Sequence, residues 1–242
     1  MRGILNIRPR PGQGVYVYQL PVRIWHWGIA ACIFTLFVTG WEIANPPQSV
    51  YGDATRLFGF GNIIMIHYTA GLLLCVLMLW RLLFGIWGNA ISREILLVPV
   101  WRKSWWHGLW DNVRWYLFIK RSPDISMGHD PLAQIAMCAA VAAMLFMCLT
   151  GLGLLQAKGY IPLFGFMKDA AYAAGGNGFD LVKWHYLGFV FILVFVMIHV
   201  YMVIRSEIMG RTTMISTMVN GERLVKATLK EDWQDLEEER QS

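Results

Sequence analysis

Four long stretches without a charged residue dominate this sequence of 242 residues. They cover residues 24–41, 57–80, 131–157 and 184–204, and they are 18, 24, 27 and 21 residues long. A bilayer core about 30 Å thick needs about 20 helical residues to cross it, so each stretch is long enough. Backbone polar groups must be paired in lipid, and nothing here alternates as barrel strands do, so the stretches predict helices. We expect an all-α, integral membrane four-helix bundle, in a single domain over 1–242, with spans near 24–44, 62–82, 132–155 and 184–205.

The overall composition agrees with a membrane protein. Apolar residues make up 56% of the chain and charged residues 15%, and the mean hydropathy is +0.44. A soluble domain has roughly 45–50% apolar and about 25% charged residues. The same balance excludes a disordered chain. The first span opens on a Trp-His-Trp triplet and lacks a clean cleavage site, which indicates a signal anchor.

The distribution of Lys and Arg predicts the orientation. The segments 1–23, 81–131 and 205–242 hold 17 of these residues, whereas the connections 42–62 and 156–183 hold 4. Positive residues concentrate on the cytoplasmic side, so both termini are expected there. The tail 206–242 is then cytoplasmic, and after Gly221 we expect a solvated or frayed helix.

The connection between the second and third spans is rich in Trp, Arg and Lys between residues 101 and 120. This composition predicts an amphipathic helix lying in the cytoplasmic membrane interface. Basic residues among aromatics also occur in nucleic-acid sites. Between two membrane spans, anchoring at the lipid surface explains the same residues, so we expect no nucleic-acid partner.

Four of the six histidines, His26, His67, His185 and His199, lie inside predicted spans. Ionisable groups there are rare and usually face the bundle interior. His185 and His199 are 14 residues apart, which puts them on one helix face about 21 Å apart. The predicted orientation sorts the four into a periplasmic-side pair, His67 with His185, and a cytoplasmic-side pair, His26 with His199. His67 starts further into its span than His185, a difference that a helix tilt of about 20° absorbs.

Two facing imidazoles are the axial ligands that a b-type haem needs in a helix bundle. Two such pairs predict two haems at two depths and one-electron transfer across the membrane, and Gly40 leaves room for one macrocycle. The four cysteines lack C-x-x-C spacing, which excludes an iron–sulfur motif and c-type haem attachment. Two alternatives remain: a non-redox anchor whose histidines form interhelical hydrogen bonds, and a proton or metal transporter. A transporter typically has internal repeats or broken helices, and the sequence has neither.

Eight segments resemble the cytochrome b subunit of membrane-bound nickel–iron uptake hydrogenases, and more distantly that of formate dehydrogenases. They are PVRIWHW (21–27), VPVWRKSWW (98–106), RWYLF (114–118), GHDPLAQ (128–134), GGNGFD (175–180), WHYLG (184–188), HVYM (199–202) and ISTMVNG (215–221). They occur in family order and cover nearly the whole chain. The cytochrome b subunit of another periplasmic oxidoreductase, such as formate dehydrogenase, is the alternative within this class.

The resemblance implies that the four span histidines bind two haem b groups in the bacterial inner membrane. It also implies a partner, the hydrogenase small subunit with its large subunit, whose iron–sulfur clusters reduce the periplasmic-side haem. Electrons then reach the cytoplasmic-side haem and membrane quinone, and hydrogen activation is expected in the partner rather than in this chain. By analogy, His129 and Asp130 are candidate proton donors for quinone near His26 and His199. A capped helix start beside a surface histidine explains His129 and Asp130 equally well.

Overall fold

The computed structural model describes residues 14–46, 59–87, 98–120, 131–159, 178–209 and 213–224, and the single positions 166, 169, 172 and 173. Within these residues it contains six helices and a two-stranded antiparallel ribbon. In chain order they are β1 (Gly14–Tyr16), α1 (Leu20–Ala44), α2 (Gly59–Trp87), α3 (Lys103–Tyr116), α4 (Pro131–Ala157), α5 (Gly178–Met209), α6 (Met214–Asn220) and β2 (Glu222–Leu224).

The four predicted spans are confirmed as long apolar helices, α1, α2, α4 and α5. Each helix extends beyond its predicted span, most clearly α5, which begins at Gly178 and ends at Met209. Many large apolar side chains on these helices are exposed, as lipid-facing residues are expected to be. In the described part of the chain, the structure is therefore that of an all-helical membrane protein apart from the short ribbon.

Internal contacts divide the chain into two compact units. The bundle unit contains the described residues of Trp25–Trp87 and Cys138–Val196. The terminal unit contains those of Met1–Ile24, Gly88–Met137 and Met197–Ser242. The prediction of a single domain stays a prediction.

The bundle unit is a closed ring of four helices. The indole of Trp25 on α1 donates a hydrogen bond to the Leu77 carbonyl on α2, at 2.9 Å. The thiols of Cys75 and Cys148 join α2 to α4 by a hydrogen bond.

The ring is completed by two further contacts. Gly188 of α5 packs against Met147 of α4. The rings of Phe37 on α1 and Phe189 on α5 stack with centroids 5.2 Å apart. The early part of α1 lies beside the late part of α2, so consecutive helices run antiparallel.

The terminal unit joins the two ends of the described chain. Tyr16 of β1 pairs with Glu222 of β2, and the Arg23 guanidinium donates to the Val219 carbonyl. Between α6 and β2, Gly221 has φ +87°, and a Cβ there would lie 2.8 Å from the Tyr18 carbonyl oxygen. The conformation and the crowding both require glycine. Our expectation of a helix after Gly221 is wrong for Glu222–Leu224, because this segment finds a strand partner at the other end of the sequence.

The predicted helix in the second connection is present as α3. It buries Trp105, Asn112 and Trp115, while Trp106 and Trp110 are exposed. The Trp105 indole donates to the Gln134 side-chain oxygen on α4 at 2.8 Å. The helix therefore has one face packed on protein and one open face, and its location at a membrane surface stays a prediction.

Arg205 near the end of α5 holds the end of α3. Its guanidinium donates to the carbonyls of Trp115 and Tyr116 at 2.6 and 2.7 Å. It also stacks on the ring of Phe118, 4.0 Å from the centroid. At 5% exposure this charge is buried, so its carbonyl partners and aromatic faces replace water.

Candidate functional site

His67 is the ninth residue of α2 and faces the late part of α1. Its Nδ1 lies 2.9 Å from the hydroxyl oxygen of Thr39. The next residue, Gly40, lies so close to the ring that a Cβ there would be 3.3 Å from the imidazole Cε1. A Thr-Gly dipeptide of α1 therefore positions this imidazole.

His185 is the eighth residue of α5 and has matching surroundings on α4. Its Nδ1 lies 2.8 Å from the hydroxyl oxygen of Thr150. A Cβ built on Gly151 would lie 3.3 Å from Cε1 of the imidazole. Each imidazole thus lies beside a threonine and the glycine that follows it. In both cases these two residues belong to the membrane helix that precedes the one carrying the imidazole.

Both threonine hydroxyls have a second partner in their own helix. The Thr39 hydroxyl lies 2.7 Å from the carbonyl oxygen of Thr35, and that of Thr150 lies 2.8 Å from the carbonyl oxygen of Phe146. Thr39 and Thr150 are each 7% exposed. The sequence analysis missed both, although the dipeptide Thr-Gly occurs late in both helices and was a detectable signal.

The structure brings His67 and His185 together. Each is half-buried. Thr39, which contacts His67, is two residues from Phe37, and the Phe37 ring stacks on Phe189, one helical turn after His185. Counted from the first residue of each helix, the positions of His67 and His185 differ by one. Because both helices begin earlier than predicted, the expected difference in depth between the two imidazoles is smaller than the sequence indicated. Whether they ligate a metal stays a prediction.

His26 and His199 belong to different compact units, so their pairing stays a prediction. His26 lies early in α1, is half-buried and contacts Trp27 edge to face, with centroids 5.3 Å apart. His199 is half-buried on α5. His129 and Asp130 lie outside the described residues. His107 is exposed on α3, which agrees with a surface role.

Arg81 is a second feature that the sequence analysis missed. This residue of α2 is 2% exposed, and its guanidinium lies 5.3 Å from the centroid of the Trp25 ring, next to His26 in the chain. A charge buried within a span usually faces other groups of the bundle interior. Arg81 therefore supplies positive charge in the part of the bundle where His26 lies.

Gly40 was expected to leave room for a macrocycle, and the structure gives it a different neighbour. The space beside Gly40 is taken by the imidazole of His67. Gly40 and the His67 imidazole therefore lie at one level of the bundle unit. The glycine lets the ring approach the helix backbone.

The donor set fits an iron porphyrin. Among the described residues, no group of three or more His, Cys, Asp or Glu could hold a metal ion, and all four cysteines are free thiols. Two imidazoles leave four positions of an octahedral iron to be supplied by another ligand, and a porphyrin supplies four nitrogens. Since the Nδ1 atoms of His67 and His185 are engaged by threonine, Nε2 is the nitrogen that would hold an iron.

Comparison with known proteins agrees with this chemistry. The profile of the family described as prokaryotic cytochrome b561 matches residues 17–221. The protein named probable Ni/Fe-hydrogenase 1 B-type cytochrome subunit of Escherichia coli K12 is 45% identical over 211 residues, which are 86% of this chain and 90% of the relative. The probable Ni/Fe-hydrogenase B-type cytochrome subunit of Azotobacter vinelandii is 41% identical over 231 residues, covering 90% and 91% of the two chains.

A more distant relative of the same name, from Rhodobacter capsulatus, is 36% identical over 219 residues, covering 88% of this chain and 82% of the relative. The resemblance carried by the sequence motifs is thereby confirmed. The chain belongs to the prokaryotic cytochrome b561 family and is a membrane-spanning b-type cytochrome, a class that carries haem b and transports electrons.

Proposed function

We propose that this chain is the di-haem b subunit of a membrane-bound Ni/Fe-hydrogenase, which it anchors and connects to membrane quinone. When bound, the haems supply reversible one-electron transfer between the iron–sulfur clusters of the hydrogenase small subunit and quinone. The observation that carries the proposal is the matched environment of His67 and His185, two imidazoles brought together with Nε2 left for iron. The names of the relatives support the choice of hydrogenase.

The four histidines in the spans are the proposed axial ligands. His67 and His185 hold one haem, and His26 and His199 hold the other. An iron held by two of these imidazoles would have no position open for oxygen or substrate. Arg81 supplies the positive charge that a haem carboxylate beside His26 needs.

The proposed orientation puts both termini in the cytoplasm of a bacterium, with the chain in the inner membrane. The 17 to 4 distribution of Lys and Arg supports it. The pairing of β1 with β2 agrees with both ends lying on one side. The hydrogenase then docks at the periplasmic end, near His67 and His185, and quinone binds near His26 and His199, with His129 and Asp130 as proton donors.

The ligand assignment is tested by haem counts and reduced-minus-oxidised visible spectra of the purified complex. The wild-type chain is expected to bind two haems, and His67→Ala and His185→Ala each to lose the same one. The double variant His67→Ala/His185→Ala therefore loses the same single haem as either single variant. The double variant His67→Ala/His199→Ala loses both haems. His107→Ala, at an exposed histidine, is the matched control and keeps both. A haem-free wild type, or additive losses in His67→Ala/His185→Ala, would refute the assignment.

The choice of partner is tested by the electron donor. In membranes containing the complex, hydrogen gas is expected to reduce both haems, and oxidised quinone to reoxidise them. Reduction by formate but not by hydrogen would replace the proposal by the formate dehydrogenase alternative. The His129→Ala variant tests the proton donor, because an unchanged rate of hydrogen-to-quinone turnover removes that role.

A further inference from the structure

We propose that Thr39 and Thr150 are positioning residues, which hold His67 and His185 with the proton on Nδ1 and thereby set the reduction potential of the haem between them. The inference rests on the proposed function, since it concerns the ligands of one proposed haem. It concerns two residues on helices other than those carrying the ligands.

The count of protons in each hydrogen-bond chain gives the direction of the bonds. A threonine hydroxyl has one proton and can donate only once. The Thr39 hydroxyl lies 2.7 Å from the Thr35 carbonyl oxygen, which can only accept, so its proton is used there. Its bond with His67 must then be donated by the imidazole, from Nδ1–H. A neutral imidazole with its proton on Nδ1 has its lone pair on Nε2, where a metal binds.

The same reasoning applies independently at the second imidazole. The Thr150 hydroxyl donates to the Phe146 carbonyl at 2.8 Å and accepts from His185 Nδ1–H at 2.8 Å. A buried threonine is already satisfied by its own helix carbonyl, so packing alone does not require the imidazole bond. Its occurrence twice, on two helices and with nearly equal lengths, indicates a shared role.

The glycine after each threonine makes this geometry accessible. A Cβ on Gly40 or Gly151 would meet the imidazole Cε1 at 3.3 Å, so each ring lies nearly against the helix backbone. This close approach brings Nδ1 within reach of the adjacent hydroxyl. The same edge of each ring, formed by Nδ1 and Cε1, is thus held by the hydrogen bond and by contact with the helix.

A hydrogen bond donated by Nδ1–H makes the imidazole a stronger electron-pair donor at Nε2. A stronger donor stabilises the oxidised iron more than the reduced iron, which lowers the reduction potential. Hydrogen bonding to axial ligands is one of the means by which a protein tunes haem. Removal of either hydroxyl is therefore expected to raise the potential of this haem and leave the other haem unchanged.

The test is a potentiometric titration of the purified complex carrying Thr39→Val, Thr150→Val, Thr39→Ser or Thr35→Val. Valine keeps the shape of threonine without the hydroxyl, and serine restores it. Thr35→Val is the matched control, because the Thr35 hydroxyl also bonds to a carbonyl of α1, that of Ala31 at 2.9 Å. The second haem in the same chain is an internal standard. The electron paramagnetic resonance signal of the oxidised haem is a second readout.

We expect both valine variants to raise the potential of one haem, and Thr39→Ser and Thr35→Val to titrate as wild type. Loss of that haem in Thr39→Val, with retention in Thr39→Ser, also supports the proposal. Wild-type potentials in both valine variants, an equal shift in Thr35→Val, or haem loss in Thr39→Ser would overturn it. If one of the overturning results is obtained while the wild-type complex binds both haems, the proposed function still stands. A haem-free wild type removes the proposed function itself.

Discussion

A single methyl group at Gly40 is expected to disturb the imidazole of His67. The Cβ of an alanine there would lie 3.3 Å from Cε1, closer than the roughly 3.5–4.0 Å at which two carbon atoms pack best. The ring has little freedom to retreat, because its Nδ1 is bonded to the neighbouring Thr39 hydroxyl at 2.9 Å. Overpacking of this kind typically costs about 1–3 kcal/mol.

Gly71→Ala provides the matched control. Its Cβ would meet the Leu36 side chain at 3.9 Å, an ordinary contact. Both substitutions gain the same roughly 0.5–1 kcal/mol by which alanine exceeds glycine within a helix. This gain cancels in the comparison, so Gly40→Ala should be less stable than Gly71→Ala by about the overpacking cost, 1–3 kcal/mol.

Thermal unfolding in detergent measures this difference through a dye that reacts with the free thiols as they become accessible. For a chain of this size about 1 kcal/mol corresponds to 2–4 °C in Tm. The Soret absorbance reports the haem, and Gly40→Ala should lose or broaden part of it, as should Gly151→Ala. If Gly40→Ala matches Gly71→Ala in both Tm and Soret spectrum, the close approach of ring and helix is not a constraint.

Two further predictions concern α3. Trp105→Phe should destabilise the chain by about 1 kcal/mol, because it leaves the buried Gln134 oxygen without its hydrogen-bond donor. Trp106→Phe should destabilise the chain by less, because the Trp106 indole bonds to an exposed carbonyl. Equal Tm values for the two variants would contradict this. Arg205→Lys should loosen α3, because an ammonium cannot reproduce the two hydrogen bonds to carbonyls and the stack on Phe118. The backbone amides of α3 should then exchange hydrogen faster in Arg205→Lys than in the control Arg114→Lys, which changes a largely exposed side chain. An unchanged rate of hydrogen exchange in the amides of α3 in Arg205→Lys would show that the contacts of Arg205 are not needed to hold α3.

The membrane helices could be predicted because apolar length is a local property of the sequence. Their ends could not, since the predicted spans were kept near the length of about 20 residues that crosses a bilayer. Arg81 is inside α2 because its charge packs on Trp25, so the helix continues to Trp87. At the start of α5, Asp180 and Lys183 pair with each other at 3.3 Å and extend the helix before the apolar stretch.

The histidines of the candidate site could be named from their spacing, but their supports depend on which helices are neighbours. Thr39 and Thr150 are polar residues in apolar helices, and the Thr-Gly dipeptide that both share does not itself show that an imidazole packs beside it. The contact of Gly40 with an imidazole likewise requires the packing of α1 against α2. The ribbon was missed because three-residue strands have no periodicity to detect, and their pairing joins distant parts of the sequence.

The ribbon also has a consequence for the order of assembly. Gly14 is made before any of the four spans, and its partner Leu224 is made after all of them. β1 therefore cannot pair with β2 until the ribosome has synthesised the last membrane helix and the residues that follow it. Formation of the ribbon marks completed insertion, and a chain truncated before Glu222 would retain its spans while leaving its leading segment open to proteases.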